Sequence, residues 1–280
     1  MRRTVLLLVT MALAIALSCG VAQAIINGEP DRESKAHPYA GAYVVKVGGK
    51  LQAVCSGTLI SPKVFLTAGH CTEARKALGL PKDPPTYVTF DPTFEPGSSK
   101  IIKGTPYTHP KSCNPIPPIN DPSCAAPPGL PGFPPDSPRY DVGVVVLKKP
   151  VRMATYGALP DAGLVDTIQK GQRLTAVGYG LRTFDRSGDE RYRATVKLLN
   201  SNPPLGAMFL RTTGFRGIGR GGEGTCSGDS GGPLFLPNQV TIVGVSSFSG
   251  VNPITGLCTQ PLYFQRMDLP QVLKWVRSKL

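Results

Sequence analysis

Three residues far apart in the chain have the types needed for acyl transfer. Ser230 lies in "GTCSGDSGGPLF", residues 224–235, a stretch with too little side-chain bulk to build a core. A serine hydroxyl is a weak nucleophile and needs a neighbouring base. The oxyanion formed when it attacks a carbonyl needs fixed hydrogen-bond donors. Glycines beside the serine let bare backbone N–H groups turn toward one point, because glycine reaches positive φ without strain. A glycine-rich hairpin turn would explain "GDSG" by itself, so the other partners decide. The chain has three histidines. His37 and His109 each precede a proline and read as turn residues. His70 ends "LTAGH", after an apolar strand pattern and beside Cys71. Asp141 opens "DVGVVVL", an apolar run in which a carboxylate is expensive without a partner. The order His70, Asp141, Ser230 is one in which a serine triad is known to occur.

The elements that must hold these residues read mostly as strands. The chain carries 32 Gly and 29 Pro in 280 residues, and its hydrophobic fraction is 41%. That composition suits a loop-rich, mainly β fold. "YAGAYVVKVGG" reads as a strand entering a Gly-Gly turn, followed by strands in "AVCSGTLIS" and "KVFLTAG". "DVGVVVLKKP" reads as a strand buried on both faces. "RLTAVGYG", "YRATVKLL", "VTIVGVSSF" and "LYFQRM" form a second β set. Residues 81–138 hold 17 of the 29 prolines, which predicts little ladder structure there. One helix is expected in "DLPQVLKWVRSKL", with Asp268 as N-cap and Pro270 near its start. Val272, Leu273, Val276 and Leu280 would share its apolar face.

The N-terminus reads as an export signal. Arg2 and Arg3 precede an apolar run from Val5 to Leu17, and Ala22-Gln23-Ala24 fits a signal-peptidase site. Residues 1–24 are therefore expected to be removed, leaving residues 25–280. The loss of two arginines would lower the formal charge of +13 only slightly. A solvated basic surface accounts for that charge, and no nucleic-acid motif is present. Cys19 falls in the signal. The other six cysteines, Cys55, Cys71, Cys113, Cys124, Cys226 and Cys258, suit three disulfides in an exported chain, with fifteen possible pairings. No C-x-x-C or His-rich spacing suggests a metal, and no cofactor is expected.

Taken together, "IINGEP", "CSGTLISPKVFLTAGHC", "YDVGVVVL", "VGYG", "CSGDSGGPLF", "GVSSF" and the C-terminal helix resemble the trypsin/chymotrypsin family of serine proteases. The resemblance covers nearly all of residues 25–280. It implies two antiparallel six-stranded β-barrels and a C-terminal helix, the first over residues 25–150 with a Pro-rich insertion at about 110–138, the second over 151–280. It implies a secreted or periplasmic endopeptidase, monomeric, that acts on protein or peptide substrates and is open to a proteinaceous inhibitor. Ser230 would be the nucleophile, His70 its base and Asp141 the residue that orients His70. The N–H groups of Gly228 and Ser230 would form the oxyanion hole. Ser247 would bind Asp141, and Ser247-Phe248-Ser249 would pair with the substrate backbone. The resemblance pairs Cys55 with Cys71, Cys226 with Cys258, and Cys113 with Cys124 inside the insertion, which would border the cleft and restrict access. Gly224 would form the base of a neutral primary pocket that takes apolar or aromatic side chains. A newly exposed Ile25 amine would pair with Asp229 and shape the oxyanion turn, with signal cleavage itself as the activating cut. An inactive protease-like binding protein is the alternative. An esterase fold, which carries G-x-S-x-G on a strand–turn–helix, is disfavoured because Ser230 has Asp before it and strand-like "PLFL" after it.

Overall fold

Apolar alternation is realised as two closed barrels. The computed structural model describes residues 25–32, 36–73, 76, 79, 82–113, 139–180, 189–200, 207–252 and 254–280. The first barrel consists of β2 (Ala40–Val47), β3 (Lys50–Ser61), β4 (Val64–Thr67), β5 (Thr86–Thr89), β6 (Ile101–Thr108) and β7 (Gly143–Leu147). It closes in the order β2-β3-β4-β7-β6-β5. Gly48 and Gly49, at φ +56° and +82°, make the β2–β3 turn that L side chains would strain. Tyr43, Leu59, Phe65, Val88 and Val144 fill this barrel.

The second barrel consists of β8 (Arg173–Gly178), β9 (Tyr192–Asn200), β10 (Phe209–Thr212), β11 (Pro233–Phe235), β12 (Ile242–Val251) and β13 (Cys258–Arg266). The order β9-β10-β13-β12-β11-β8 is closed by the β8–β9 ladder. Leu174, Val196, Leu210, Val243 and Phe264 form its core. The short β1 (Glu29–Pro30) takes the stretch of β9 at Tyr192 and Arg193 that β10 does not reach. The chain then crosses to the first barrel past a buried charge network. There Asp31 accepts from Arg191 Nε at 3.0 Å and lies 3.1 Å from His37 Nδ1. His109, also buried, stacks on Tyr140.

The described part of the Pro-rich region, residues 82–113, carries more ladder structure than its composition predicts. Both β5 and β6 lie within residues 81–138, and Pro106 sits inside β6 opposite Val145. The β5 ladder ends at Gly104. Beyond it β6 pairs only with β7, and an N–H directed away from β7 can be lost to proline at no cost to the ladder.

The C-terminal helix runs over Pro270–Arg277 (α2, after the one-turn α1 at Gly69–Thr72), with Pro at its first turn. Its N-cap is Leu269, with no side-chain cap, and not Asp268. Asp268 is spent elsewhere: it binds Arg266 Nη2 at 2.8 Å and accepts the Val165 N–H at 2.9 Å. A buried arginine beside a free carboxylate outbids a cap, since an unpaired buried charge costs far more. Val272, Leu273 and Val276 are buried, while Leu280 lies beyond the helix and is exposed. Val272 and Val276 join the first-barrel core cluster, so the helix docks back on the first barrel. Cys124 and residues 114–138 lie outside the described residues, as do residues 1–24. Among the described residues no helix is long and apolar enough to cross a membrane.

Candidate active site

The candidate base, His70, arrives after the end of β4. The chain leaves Thr67 into α1, which carries His70, and the Cys55–Cys71 disulfide ties this turn to β3. Gly69 makes close approach possible: a Cβ there would lie 2.5 Å from Ser112 Oγ and 3.1 Å from Asp141 Oδ1. Asp141, two residues before β7, is fully buried. Its Oδ2 lies 2.8 Å from His70 Nδ1, and its Oδ1 accepts the His70 backbone N–H at 2.8 Å. Ser247 Oγ donates to Oδ2 at 2.5 Å, and Gln265 Oε1 accepts the Asp141 N–H at 2.9 Å. Burial works against the Asp141 charge. The His70 charge and the hydrogen bonds from His70 and Ser247 outweigh it and hold the carboxyl below its ordinary range. Burial likewise disfavours protonated His70, but the Asp141 charge and hydrogen bond, with Glu73, raise its pKa above the usual 6.5.

The turn bearing Ser230 is built almost wholly from backbone. Gly228 and Gly231 adopt φ of +91° and +82°. The Asp229 N–H bonds Cys226 O at 3.0 Å, the Gly231 N–H bonds Ser246 O at 2.8 Å, and the Gly232 N–H bonds Asp229 O at 2.8 Å. The N–H groups of Gly228 and Ser230 have no partner among the hydrogen bonds of the described residues. Ser230 and His70 are both partly open to solvent. Among those same bonds none joins Ser230 Oγ to His70; such contacts are often long before substrate binds.

Two residues, Ser56 and Gln265, escaped sequence reasoning. Ser56, buried in β3, donates its N–H to Ser230 O at 2.8 Å and its Oγ–H to Gly228 O at 2.9 Å. The same Oγ accepts the Tyr179 N–H at 2.9 Å. Ser56 thus ties the second-barrel turn to the first barrel. A small polar residue beside a cysteine carries no pattern that would have marked it. Gln265 was missed for a similar reason, since it sits inside an apolar strand pattern.

The remaining predicted residues line the same region. The β11 ladder reaches β12 only as far as Val245, while β13 pairs along its other edge. One edge of Ser247-Phe248-Ser249 is therefore open to an added strand. The Phe248 ring stacks on Tyr263 at 4.4 Å, forming an aromatic wall. The Gly224 N–H bonds Ile26 O at 3.1 Å, and a Cβ on Gly224 would lie 2.7 Å from Leu262 Cδ1. The ground around Gly224 is thus apolar and closely filled. Glu223 turns away toward β9, where it takes a backbone hydrogen bond from Thr195, and burial raises its pKa. The Cys226–Cys258 disulfide links the turn bearing Ser230 to β13. Cys113 is also disulfide-bonded, and its expected partner, Cys124, lies outside the described residues.

Ile25 is buried in the second-barrel core, worth about 1.5–3 kcal/mol. Its nitrogen is in peptide linkage with Ala24 in this chain. The buried Asp229 carboxyl is met by the N–H groups of Cys226 and Gly180, each at 2.8 Å. No ion pair to it occurs among the described residues. Burial pushes its pKa up to about 7 against the partial relief those two amides give.

The profile of the family described as Trypsin matches residues 25–89 and 129–276. The chain belongs to the trypsin family. It is 27% identical over 233 residues to a trypsin of Saccharopolyspora erythraea, covering 80% of this chain and 86% of that one. It is 29% identical over 206 residues to brachyurin of Leptuca pugilator, covering 69% and 75%. Among solved structures, human heparin binding protein superposes with a TM-score of 0.60 at 19% identity, over 91% of this chain and 96% of that one. That likeness concerns the fold.

Proposed function

We propose that the chain is an exported serine endopeptidase. Ser230 attacks the substrate carbonyl, and His70 takes its proton and returns it to the leaving amine. Asp141, held by Ser247, fixes the His70 tautomer and stabilises the imidazolium. The Gly228 and Ser230 N–H groups receive the oxyanion. Residues 247–249 pair with the substrate backbone. Gly224 leaves the primary pocket without the carboxylate that would attract arginine or lysine, so apolar and aromatic side chains are preferred there. Cleavage after Ala24 frees the Ile25 amine to pair with Asp229, without a separate propeptide.

The observation that carries this reading is the chain of short hydrogen bonds from Ser247 through Asp141 to His70, beside two unpartnered amides at the serine. A fluorophosphonate probe tests it. Protein beginning at Ile25 is expected to label at Ser230 and to lose labelling in Ser230→Ala and His70→Ala. It should cleave peptides after Leu, Phe or Tyr faster than after Arg or Lys. A well-folded protein that neither labels nor cleaves would instead be a binding protein on a protease scaffold, the role that loss of catalysis leaves to such a fold.

A further inference from the structure

A second concave site lies on the first barrel, away from these residues. It is a groove of about 790 Å³ between β5, β6 and the segment after β7, within the usual range for ligand sites. Its rim carries Lys100, Lys103, Lys148, Lys149 and Arg152, all exposed. None of these five side chains has an ion pair or hydrogen bond among the described residues. The one carboxylate in the groove, Asp91, is engaged by the Lys100 backbone N–H at 2.7 Å. Lys103 and Lys148 are brought together by the ladder, the Lys148 N–H bonding Lys103 O at 2.9 Å. Beneath the cations lies an apolar floor of half-buried Tyr87, Phe90, Ile102, Val151 and Met153.

Five like charges around one groove repel each other and concentrate positive potential there. The floor narrows the choice of occupant. A sulfated polysaccharide would satisfy the rim but leave the apolar floor wet. An extended peptide places alternate side chains on opposite faces. One with acidic and apolar residues can meet both parts of the groove.

We propose that this groove docks an acidic, apolar-containing segment of a protein substrate, apart from the bond that is cut. The identity of the partner as a substrate rests on the protease reading; the docking chemistry does not. β7 starts two residues after Asp141 and ends one residue before Lys148, so the groove lies roughly 20 Å along that strand from the candidate triad. A substrate would need several extended residues to span the two.

Binding can be read without catalysis, using the Ser230→Ala protein and fluorescence anisotropy. The probes are a labelled peptide alternating Glu with Phe and Leu, a peptide of equal charge with Ser in place of Phe and Leu, and a sulfated oligosaccharide of matched charge. The alternating peptide is expected to bind at least about tenfold more tightly than the Glu/Ser peptide. Combined Lys103→Glu, Lys148→Glu and Lys149→Glu should weaken it by more than tenfold, with the thermal unfolding midpoint checked for each variant. If that variant is unfolded, Lys148→Gln with Lys149→Gln gives the same reading at smaller amplitude. Equal affinity for the two peptides, tighter binding of the oligosaccharide, or indifference to folded charge variants would each overturn the proposal. Absence of phosphonate labelling in the active chain would count against the protease reading alone.

Discussion

At the scale of single residues, the buried polar groups divide sharply between those whose pattern announces them and those it hides. Asp141 is conspicuous because it opens an apolar run, where it must find partners. Ser56 is inconspicuous, yet its hydroxyl bridges the Tyr179 N–H and the Gly228 carbonyl. Removing that hydroxyl leaves the buried Tyr179 N–H unpaired, at about 1–3 kcal/mol, and the part-buried Gly228 carbonyl without its partner at a smaller cost. The strain falls on the peptide next to the Gly228 N–H. Ser56→Ala is therefore expected to lower kcat by about tenfold or more, with KM little changed, in steady-state hydrolysis of a chromogenic peptide. Loss confined to KM would remove Ser56 from the positioning of this turn. His70 supplies a second expectation. Only the neutral imidazole accepts the Ser230 proton, and Asp141 raises the His70 pKa. The rate should therefore climb with pH through a limb above the ordinary imidazole value of about 6.5. In Asp141→Asn that limb should move to lower pH while kcat falls; an unmoved limb would contradict the assigned coupling.

At the scale of elements, the neck of the Pro-rich insertion is built as a bridge. Cys113 and Arg139 exchange both backbone hydrogen bonds, at 3.0 and 2.9 Å, and Arg139 is two residues from Asp141. Two residues so paired lie about 5.5 Å apart, so a short turn can replace residues 114–138 without displacing Asp141. That replacement is expected to leave kcat on a minimal substrate nearly unchanged and to broaden side-chain preference upstream of the cut in a peptide library. An unaltered profile would free the insertion from any part in access. The same region marks how far the sequence was legible. Strands with uniform apolar runs, such as β2, β4, β7 and β12, stand out because burial on one or both faces leaves a period to read. β6 does not, since "IIKGTPYT" mixes Lys, Gly and Pro into a strand whose far edge is half unpaired. β10, only "FLRT", is too short to show a period. Asp268 misleads for a different reason: its spacing suits an N-cap, but it pairs with its near neighbour Arg266, and only the tertiary fold brings Val165 to it. The positions of His70, Asp141 and Ser230 were readable from residue type. The Ser56 and Gln265 contacts were not, because they join strands whose registers the sequence does not state.

At the scale of the whole molecule, the proposed function couples the N-terminus to the candidate triad through the charge on Asp229. In the chain with Ala24 still attached, Asp229 is buried with two amides for partners among the described residues, and its pKa stands at about 7 against an ordinary 3.8. The folded state then keeps a proton that the unfolded chain releases between those two values. The contribution of Asp229 to stability is therefore greatest below about pH 4, falls as pH rises toward about 7, and levels off beyond. At 1.36 kcal/mol per pKa unit the loss is roughly 4 kcal/mol. The triad makes the opposite demand, because His70 must lose its proton, which requires pH above its raised pKa. The uncut chain has no pH at which Asp229 is comfortably neutral and His70 fully deprotonated. A free Ile25 amine removes the conflict by letting Asp229 ionise against a cation. An α-amino group titrates at about 7.7–8.0 when unpaired. Pairing raises that value, so its contribution is complete below the unpaired range and fades as pH climbs through the higher folded value. Protein beginning at Ile25 should thus be active near neutrality and lose activity in alkali. Protein carrying one extra residue before Ile25 should be far less active throughout. Urea unfolding of both forms on a Ser230→Ala background should show the decline between pH 4 and 7 only in the extended form. Matching stability profiles, or equal activity of the two forms with Ser230 intact, would break the link between the N-terminus and the oxyanion turn.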